Sequence, residues 1–286
     1  MIAVDWGTSS FRAYRLGKDG DIVESRTAPA GILAVPAGKF PETLQTQIGD
    51  WRETPIVMSG MVGSRQGWVE APYVPCPAGF DEIAAKLVEV RWGPRRAWIV
   101  PGLSCRDASG VPDVMRGEET QVLGAGADGL ICLPGTHSKW VEVKNGRIER
   151  FSTFMTGEVY AVLKQHSILG RMMEEGAPET GQMRVAFAEG VKRSGEAGGV
   201  LHHLFGVRTR GLMGEIGPAA SPSYLSGILI GHEIRTARQS FSLIGEPALA
   251  ALYRQAANAL GLEARIVDST AATRALFRLG GMSSLG

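Results

Sequence analysis

Two short polar segments of this chain combine a glycine with hydroxyl side chains, and each interrupts an apolar stretch. The first is Asp-Trp-Gly-Thr-Ser-Ser, in which Asp5 precedes Gly7, Thr8 and Ser9. A glycine lets the backbone approach a ligand closely, and neighbouring amides and hydroxyls can surround phosphate oxygens. A carboxylate beside them can hold Mg²⁺ through water. The hexapeptide therefore predicts a phosphate site with Asp5 on the metal side, although alone it also suits an ordinary turn.

The second segment, Pro-Gly-Thr-His-Ser-Lys, offers Gly135, Thr136, His137, Ser138 and Lys139. The same order of predicted elements surrounds both segments: a strand, a small polar tip, a second strand, a glycine turn and a third strand. The second copy lies about 130 residues after the first. This recurrence indicates a duplicated architecture. Two such tips, facing each other, would grip one triphosphate from opposite sides. As alternatives, His137 is typical of an exposed turn, and Lys139 of a solvated strand end.

A pair of carboxylates, Glu118 and Glu119, lies between the two tips in Arg-Gly-Glu-Glu-Thr. They begin a predicted helix, where acidic side chains can simply stabilise the helix dipole. A carboxylate there can also accept the proton of an alcohol that attacks a phosphorus atom. Adjacent helical residues point about 100° apart, so only one of the two can face a substrate. The spacing leaves either one as the candidate base.

Hydrophobic periodicity predicts the elements that position these residues. The N-terminal part should form three strands, Ile2–Asp5, Phe11–Leu16 and Ile22–Ala28, and the second repeat Leu130–Leu133, Lys139–Lys144 and Ile148–Phe154. Buried strands are predicted at Pro-Ile-Val-Met-Ser-Gly and Arg-Ala-Trp-Ile-Val. Helices are predicted over 40–51, over the stretch GFDEIAAKLVEV at 79–90, and through most of the chain after residue 156. The pattern is that of an α/β protein.

Further candidate residues follow two of these strands. Ser59, Gly60 and Met61 end a buried strand, which is where α/β folds place ligand loops. Gly245 lies between a strand and a helix with Pro247 near its start, which leaves bare backbone for a nucleotide.

Composition narrows the class of protein. The chain has 286 residues, enough for two domains, and a formal net charge of +1 with 21% charged residues. Neither a nucleic acid nor an anionic membrane is an expected partner at that charge. The three cysteines form no metal spacing, and no signal peptide or transmembrane stretch is evident, so we expect a cytoplasmic protein.

An ordered set of motifs resembles the 2-dehydro-3-deoxygalactonokinase family, within the sugar kinase/heat-shock protein 70/actin superfamily. The motifs span essentially the whole chain: DWGTSSFRA, GMVGSRQGWVEAPYVPCPA, VMRGEETQVLGA, LPGTHSKWV, FMTGE and YLSGILIG. The resemblance implies two ribonuclease-H-like domains of the actin-like ATPase fold, with an ATP cleft between them. It also implies ATP- and Mg²⁺-dependent phosphorylation of 2-dehydro-3-deoxy-D-galactonate at its 6-hydroxyl, in galactonate breakdown.

The resemblance also assigns roles to residues. Related sugar kinases carry Gly-Asp where this chain has Gly-Glu, so it implies Glu118 as the base, with Glu119 as the alternative. Because the substrate is an anion, Arg116 is the first candidate for its carboxylate and Arg65 the second. Trp68 could provide a face for the sugar, or else belong to the core. Gly245 and Pro247 resemble the superfamily's adenosine motif.

We expect a sugar-acid-binding domain over residues 1–115 and a nucleotide-binding domain over 116–268, with the last helix, 269–286, packed back on the first. Three alternatives share the fold: an exopolyphosphatase-like hydrolase, a kinase for another 2-keto-3-deoxy sugar acid, and a non-enzymatic ATP-binding regulator. The hydrolase would need a basic channel for a long polyanion, which the charge of +1 argues against. A homodimer is left open.

Overall fold

A computed structural model describes residues 1–92, 95–174, 180–267 and 270–283. The strands in chain order are β1 (Ile2–Trp6), β2 (Phe11–Leu16), β3 (Ile22–Ala28), β4 (Ile56–Ser59), β5 (Tyr73–Pro75), β6 (Val88–Trp92), β7 (Arg95–Ile99), β8 (Gly102–Arg106), β9 (Pro112–Met115), β10 (Gly129–Leu133), β11 (Ser138–Lys144), β12 (Arg147–Phe154), β13 (Phe241–Leu243) and β14 (Ala264–Ile266). The helices are α1 (Phe40–Ile48), α2 (Phe80–Ala84), α3 (Glu118–Ala125), α4 (Thr156–His166), α5 (Gly181–Arg193), α6 (Gly199–Leu212), α7 (Ser221–Ile234), α8 (Pro247–Ala259) and α9 (Ala271–Ser283).

The first sheet has the strand order β3-β2-β1-β4-β7-β6. Its centre is parallel, because β4 pairs in parallel with both β1 and β7, whereas β2 and β3 continue as an antiparallel meander. The central strands are buried on both faces, which explains their nearly continuous apolar sequence. Phe11, Leu44, Trp51 and Ile99 belong to the core around them.

The second large sheet repeats this arrangement. Its order is β12-β11-β10-β13-β14, which matches β3-β2-β1-β4-β7 strand for strand, and β13 is again parallel to both of its neighbours. The predicted duplication is therefore confirmed at the level of topology. An apolar core with Phe187, Ile234 and Tyr253 lies against this sheet, and a further cluster joins α5, α6 and α7.

The chain divides into two compact units. Unit 1 contains Met1–Gly129, Val141–Ser152 and Asp268–Gly286, and unit 2 contains Leu130–Trp140 and Thr153–Val267. The first unit thus includes the distal part of the β11–β12 hairpin. The predicted boundary at residue 115, between a sugar-acid-binding domain and a nucleotide-binding domain, stays a prediction. Along the described part of the chain, no helix is both long and apolar enough to cross a membrane.

One predicted helix is wrong. The stretch GFDEIAAKLVEV forms only the short α2, and the chain then enters β6. The reason is tertiary: Val90 is buried opposite Ala97 in an antiparallel pair with β7, and this pairing favours the strand. A small sheet of order β5-β8-β9 was also not predicted. Its strands are short, and their pattern is weak in the sequence.

Helix α3 packs tightly against the C-terminal helix α9 within unit 1. A Cβ on Gly124 would lie 1.8 Å from the carbonyl oxygen of Ala271, so the two backbones are in direct contact. The guanidinium of Arg274 donates to the carbonyl of Gly124 at 2.9 Å, which joins the helices at the same place. Glycine at 124 is therefore a packing requirement of this helix pair.

We expect Gly124→Ala to lower the free energy of unfolding by about 1–3 kcal/mol, because the methyl group must push α3 away from α9. Gly281→Ala in α9 is the matched control, since the space around that glycine is open. It should change stability by less than about 1 kcal/mol. Urea unfolding of both variants measures the difference, and equal stabilities would contradict the packing argument.

Candidate active site

Strand β1 carries the first polar tip of unit 1. The amide of Gly7 donates to the carbonyl of Ser10 at 2.9 Å, which closes the tip before β2 begins at Phe11. The carbonyls of Gly7 and Thr8 accept hydrogen bonds from the amides of Ile32 and Leu33, and these bonds hold the backbone of the tip in place. Thr8 and Ser9 are exposed. Their hydroxyls and amides are therefore available to a ligand.

Asp5 lies one strand position before this tip and is 24% exposed. Burial raises the pKa of Asp5, and Arg12, whose guanidinium lies 3.5 Å from a carboxylate oxygen, partly offsets the rise. A Cβ on Gly60 would be 3.4 Å from the other oxygen, so the carboxylate borders the end of β4. Within the described ranges no three His, Cys, Asp or Glu side chains are grouped to hold a metal. A single partly exposed carboxylate still fits Mg²⁺, which takes its remaining ligands from phosphates and water.

The loop before α3 meets the end of β4. Both Gly60 and Gly117 have positive φ, and a Cβ on Gly117 would lie 3.2 Å from the Cα of Gly60. The two carboxylates at the helix start hold this loop. Glu118 accepts the amide of Arg116 at 3.0 Å, and Glu119 accepts the amide of Gly117 at 2.6 Å. The structure therefore brings Glu118 and Glu119 to the sheet edge that carries Asp5.

The two carboxylates differ in their surroundings. Glu119 is fully buried, and burial, followed by the charge of Glu118, raises its pKa to about 8. One of its oxygens has no hydrogen-bond partner in the described part of the chain. Glu118 is partly exposed. Glu118 is thus the carboxylate that a substrate can reach, and Glu119 lies behind it.

Arg116 is buried, with 8% exposure. Its guanidinium stacks over the Tyr73 ring at 4.3 Å and donates to the carbonyl of Ala71 at 2.8 Å. Nε and Nη1 have no acceptor among the described residues. Unpaired N–H groups on a buried cation are costly unless an anion or water binds them. Arg65 differs, because its side chain is 89% exposed and its guanidinium lies 3.7 Å from the carboxylate of Glu70.

The other predicted substrate residues follow β4. Ser59 is buried at the strand end, and Met61 begins the short helical turn Met61–Gly63 beside it. Trp68 stacks on Phe40 at 6.4 Å and packs against the core. The structure thus brings Ser59, Gly60 and Met61 close to Asp5 and the start of α3, and it ties Trp68 to the core.

The second tip, in unit 2, presents some of its side chains and buries the others. Thr136 and His137 are exposed, and the ring of His137 pairs with Glu158. Ser138 is fully buried with its hydroxyl 2.9 Å from that of Tyr253. Lys139 is also buried, and its ammonium donates to Thr153. Gly135, Thr136 and His137 therefore form the accessible part of this tip.

Two neighbouring segments approach the second tip. The amide of Glu158 donates to the carbonyl of Thr136 at 3.0 Å, and a Cβ on Gly157 would lie 2.4 Å from the oxygen of Gly135. On the other side, a Cβ on Gly245 would be 3.5 Å from the oxygen of Pro134. The predicted nucleotide residues Gly245 and Pro247, at the start of α8, thus lie close to the tip.

Sequence reasoning missed a buried carboxylate behind the second tip. Glu233, near the end of α7, accepts hydrogen bonds from Trp140, Thr156 and Tyr253. The signal was present, because Glu233 is the only acid in the strongly apolar helix Ser221–Ile234. Its partners are distant in sequence, however, and no motif connects them.

The duplicated sheet order and the paired tips define the actin-like ATPase fold, a class that includes sugar kinases. The activator of 2-hydroxyisocaproyl-CoA dehydratase from Clostridium difficile, solved with bound ADPNP, shares this fold at a TM-score of 0.50 and 12% identity. The predicted fold class is confirmed.

A family model described as 2-keto-3-deoxy-galactonokinase matches residues 5–279, and the chain belongs to that family. A Rhizobium meliloti protein named as a probable 2-dehydro-3-deoxygalactonokinase is 40% identical, covering 96% of this chain and 94% of the relative. The Escherichia coli 2-dehydro-3-deoxygalactonokinase is 37% identical over 97% and 96%. A crystal structure of a Sinorhizobium meliloti protein, described under the same family name, has a TM-score of 0.87 and 37% identity, and the match covers 99% of this chain and 98% of that protein. The predicted family is confirmed, and the chain is a kinase by family.

We expect the stability of the wild-type protein to decrease between about pH 4.5 and pH 8 through Glu119. Its pKa rises from 4.5 to about 8 on folding, so in this range the folded protein binds more protons than the unfolded chain. Glu119→Gln should reduce this slope, and at pH 8 it should be more stable than the wild type. Urea unfolding at several pH values measures both. An unchanged slope would show that Glu119 does not titrate in this range.

Proposed function

We propose that this protein transfers the γ-phosphoryl group of ATP to the 6-hydroxyl of 2-dehydro-3-deoxy-D-galactonate. The observation that carries the proposal is the match to the 2-keto-3-deoxy-galactonokinase family over residues 5–279. The curated relatives of 37% and 40% identity carry the name of that kinase. The arrangement of Asp5, Gly60 and Glu118 at one edge of the first sheet supports a reaction at that edge.

In this proposal Glu118 is the general base. It accepts the proton of the sugar hydroxyl as the oxygen attacks the γ-phosphorus, a role that suits its partial exposure. Glu119 holds the loop through the amide of Gly117 and keeps Glu118 in place. Asp5 would hold Mg²⁺, which when bound neutralises charge on the phosphates. Phosphoryl transfer depends mostly on such positioning and charge stabilisation.

The phosphates of ATP are assigned to the tips. In unit 1 Gly7, Thr8 and Ser9 offer amides and hydroxyls, and in unit 2 the accessible residues are Gly135, Thr136 and His137. In this proposal the buried side chains of Ser138 and Lys139 contribute to the ATP site by holding the backbone of the second tip in place. Gly245 and Pro247 are proposed to meet the nucleoside, because they lie at the start of α8 beside Pro134.

Arg116 is our candidate for the carboxylate of the sugar acid. Its unpaired Nε and Nη1 are the support for this choice, since the carboxylate of a sugar acid would provide an acceptor for an N–H group that lacks one. Ser59, Gly60 and Met61 would line the sugar beside it. Arg65 and Trp68 stay secondary candidates, one because it is almost fully exposed and the other because it packs on the core.

Other parts of the proposal rest on the same family. Residues 1–115 would serve mainly the sugar acid and residues 116–268 the nucleotide. The reaction would take place in the cytoplasm, where ATP is available, and the protein could act as a homodimer. A hydrolase of the exopolyphosphatase type is not favoured, because the relatives that match nearly the whole chain are named as kinases.

The proposed reaction is tested with a coupled assay of ATP consumption across 2-keto-3-deoxy sugar acids. We expect turnover with the galactonate-derived acid and much less with its epimer from gluconate. Consumption of ATP without any sugar acid would instead favour a hydrolase. Phosphorylation of the epimer alone would show that another member of the substrate class is preferred.

Glu118→Gln should reduce kcat by about 10²- to 10⁴-fold, because the amide cannot accept the proton. Glu119→Gln is the comparison, since it keeps an oxygen for the amide of Gly117, and we expect it to have the smaller effect. A larger loss in Glu119→Gln would move the base to Glu119. Loss of less than about tenfold in both variants would exclude a carboxylate base at this place.

Arg116→Gln should raise the KM for the sugar acid by at least about tenfold, since a charged hydrogen bond to the carboxylate is lost. The KM for ATP should change little. Arg65→Gln is the comparison for the secondary candidate, and we expect it to leave both values within about twofold. A larger rise in the KM for the sugar acid in Arg65→Gln than in Arg116→Gln would move the carboxylate site to Arg65. Equal KM values in the wild type and Arg116→Gln would remove Arg116 from the substrate site.

A further inference from the structure

Glu233 is a carboxylate buried in unit 2, with 2% exposure. One of its oxygens accepts the indole N–H of Trp140 at 2.8 Å, and the other accepts the hydroxyls of Tyr253, at 2.7 Å, and Thr156. Burial raises the pKa of Glu233, and these donors oppose the rise because they stabilise the charged form. Burial of a carboxylate costs desolvation free energy, and its hydrogen bonds offset that cost only when they are well aligned.

The hydroxyl groups of this network have a defined direction. Tyr253 has one hydroxyl proton, and Glu233 as a carboxylate can only accept, so Tyr253 donates to Glu233. The hydroxyl of Ser138 lies 2.9 Å from that of Tyr253, and Ser138 also stabilises the charged form of Glu233 by hydrogen bonding. Ser138 therefore belongs to this network and links the second tip to it.

The donors to Glu233 belong to three segments that surround the second tip. Trp140 is on β11 just beyond the tip, Thr156 is the first residue of α4, and Tyr253 is on α8. Helix α4 contacts the tip directly, through the hydrogen bond from the amide of Glu158 to Thr136. One side chain on α7 thus connects the strand after the tip with the two helices beside it.

We propose that Glu233 is a positioning residue for ATP, which holds the backbone of Gly135, Thr136 and His137 in the geometry that phosphate oxygens require. It makes no contact with the nucleotide itself. The inference rests on the proposed function, in which this tip binds the phosphates. Misplacement of such groups by a fraction of an ångström weakens binding and transfer, because the donors cannot adjust without losing their alignment.

Glu233→Gln is the first test. If the amide oxygen stays on the indole N–H of Trp140, the NH₂ group faces the hydroxyls of Thr156 and Tyr253. Both hydroxyls must then change from donor to acceptor, and the negative charge that orients them is lost. We expect the affinity for ATP, measured by isothermal titration calorimetry, to fall at least about tenfold. The KM for the sugar acid should stay within about twofold, because that substrate is assigned to unit 1.

Thr156 provides a second test with a conservative rescue, in case Glu233→Gln folds poorly. Thr156→Val keeps the shape but removes the hydroxyl, and it should lose ATP affinity in the same direction. Thr156→Ser keeps the hydroxyl and should restore most of it. Ser194→Ala is the matched control, since it removes a buried hydroxyl that binds Arg235 at the end of the same helix α7. It should lower thermal stability without a selective effect on ATP.

The proposal is overturned if folded Glu233→Gln and Thr156→Val bind ATP within about twofold of the wild type. It is also overturned if Ser194→Ala loses ATP affinity to the same extent, because the effect would then reflect stability alone. Failure of the proposed function looks different. A wild type that binds ATP but phosphorylates no sugar acid contradicts that function and leaves the calorimetric comparison decisive. A wild type that does not bind ATP contradicts both.

Discussion

The close approach of two backbone segments, at Gly60 and Gly117, determines the arrangement of the candidate site residues in unit 1. A side chain on either glycine would meet backbone, because a Cβ on Gly60 would be 2.8 Å from the oxygen of Trp6 and one on Gly117 would be 3.2 Å from the Cα of Gly60. Strands β1 and β4 are parallel with Asp5 opposite Ser59. The start of α3 therefore lies beside Asp5, and Glu118 is placed at the sheet edge where ligands bind in α/β folds.

Helix α3 is held at both ends, and each end uses a different interaction. At its start the carboxylates of Glu118 and Glu119 accept the amides of Arg116 and Gly117. Near its end Gly124 lets the backbone of α9 come into contact. A helix of only eight residues has little stability of its own, so these contacts fix its direction. The C-terminal part of the chain thus supports the helix that carries the proposed base.

In each unit a buried glutamate side chain lies next to a proposed ligand loop. In unit 1 Glu119 binds the backbone before α3, and in unit 2 Glu233 binds hydroxyl and indole donors around the second tip. A buried acid is unfavourable by itself, but its short and directional hydrogen bonds restrict the groups that donate to it. Small residues such as Gly135 and Thr136 bring little side-chain packing, so the backbone of the second tip depends on contacts from neighbouring segments such as the amide of Glu158.

Much of the local structure was predictable from the sequence. The strands around both tips, the turn at Asn145-Gly146 and most long helices follow from alternation, from glycine positions and from apolar periodicity. The tips themselves, the start of α3 at Glu118 and the family were recognisable because they consist of contiguous residues. Where a segment read as a helix but formed α2 and then β6, the decision came from pairing with β7, a contact that local periodicity does not contain.

The sequence by itself thus determined the order of elements, the two small polar tips and the acidic pair that begins α3, because each depends on neighbouring residues. Only the tertiary structure decided which of these side chains are accessible. It buried Glu119 and left Glu118 accessible, and it turned Ser138 inward while Thr136 and His137 stayed exposed. It also brought Glu233 to partners up to 93 residues away. Burial and long-range hydrogen bonds arise only when distant segments pack together, so no local pattern could reveal them.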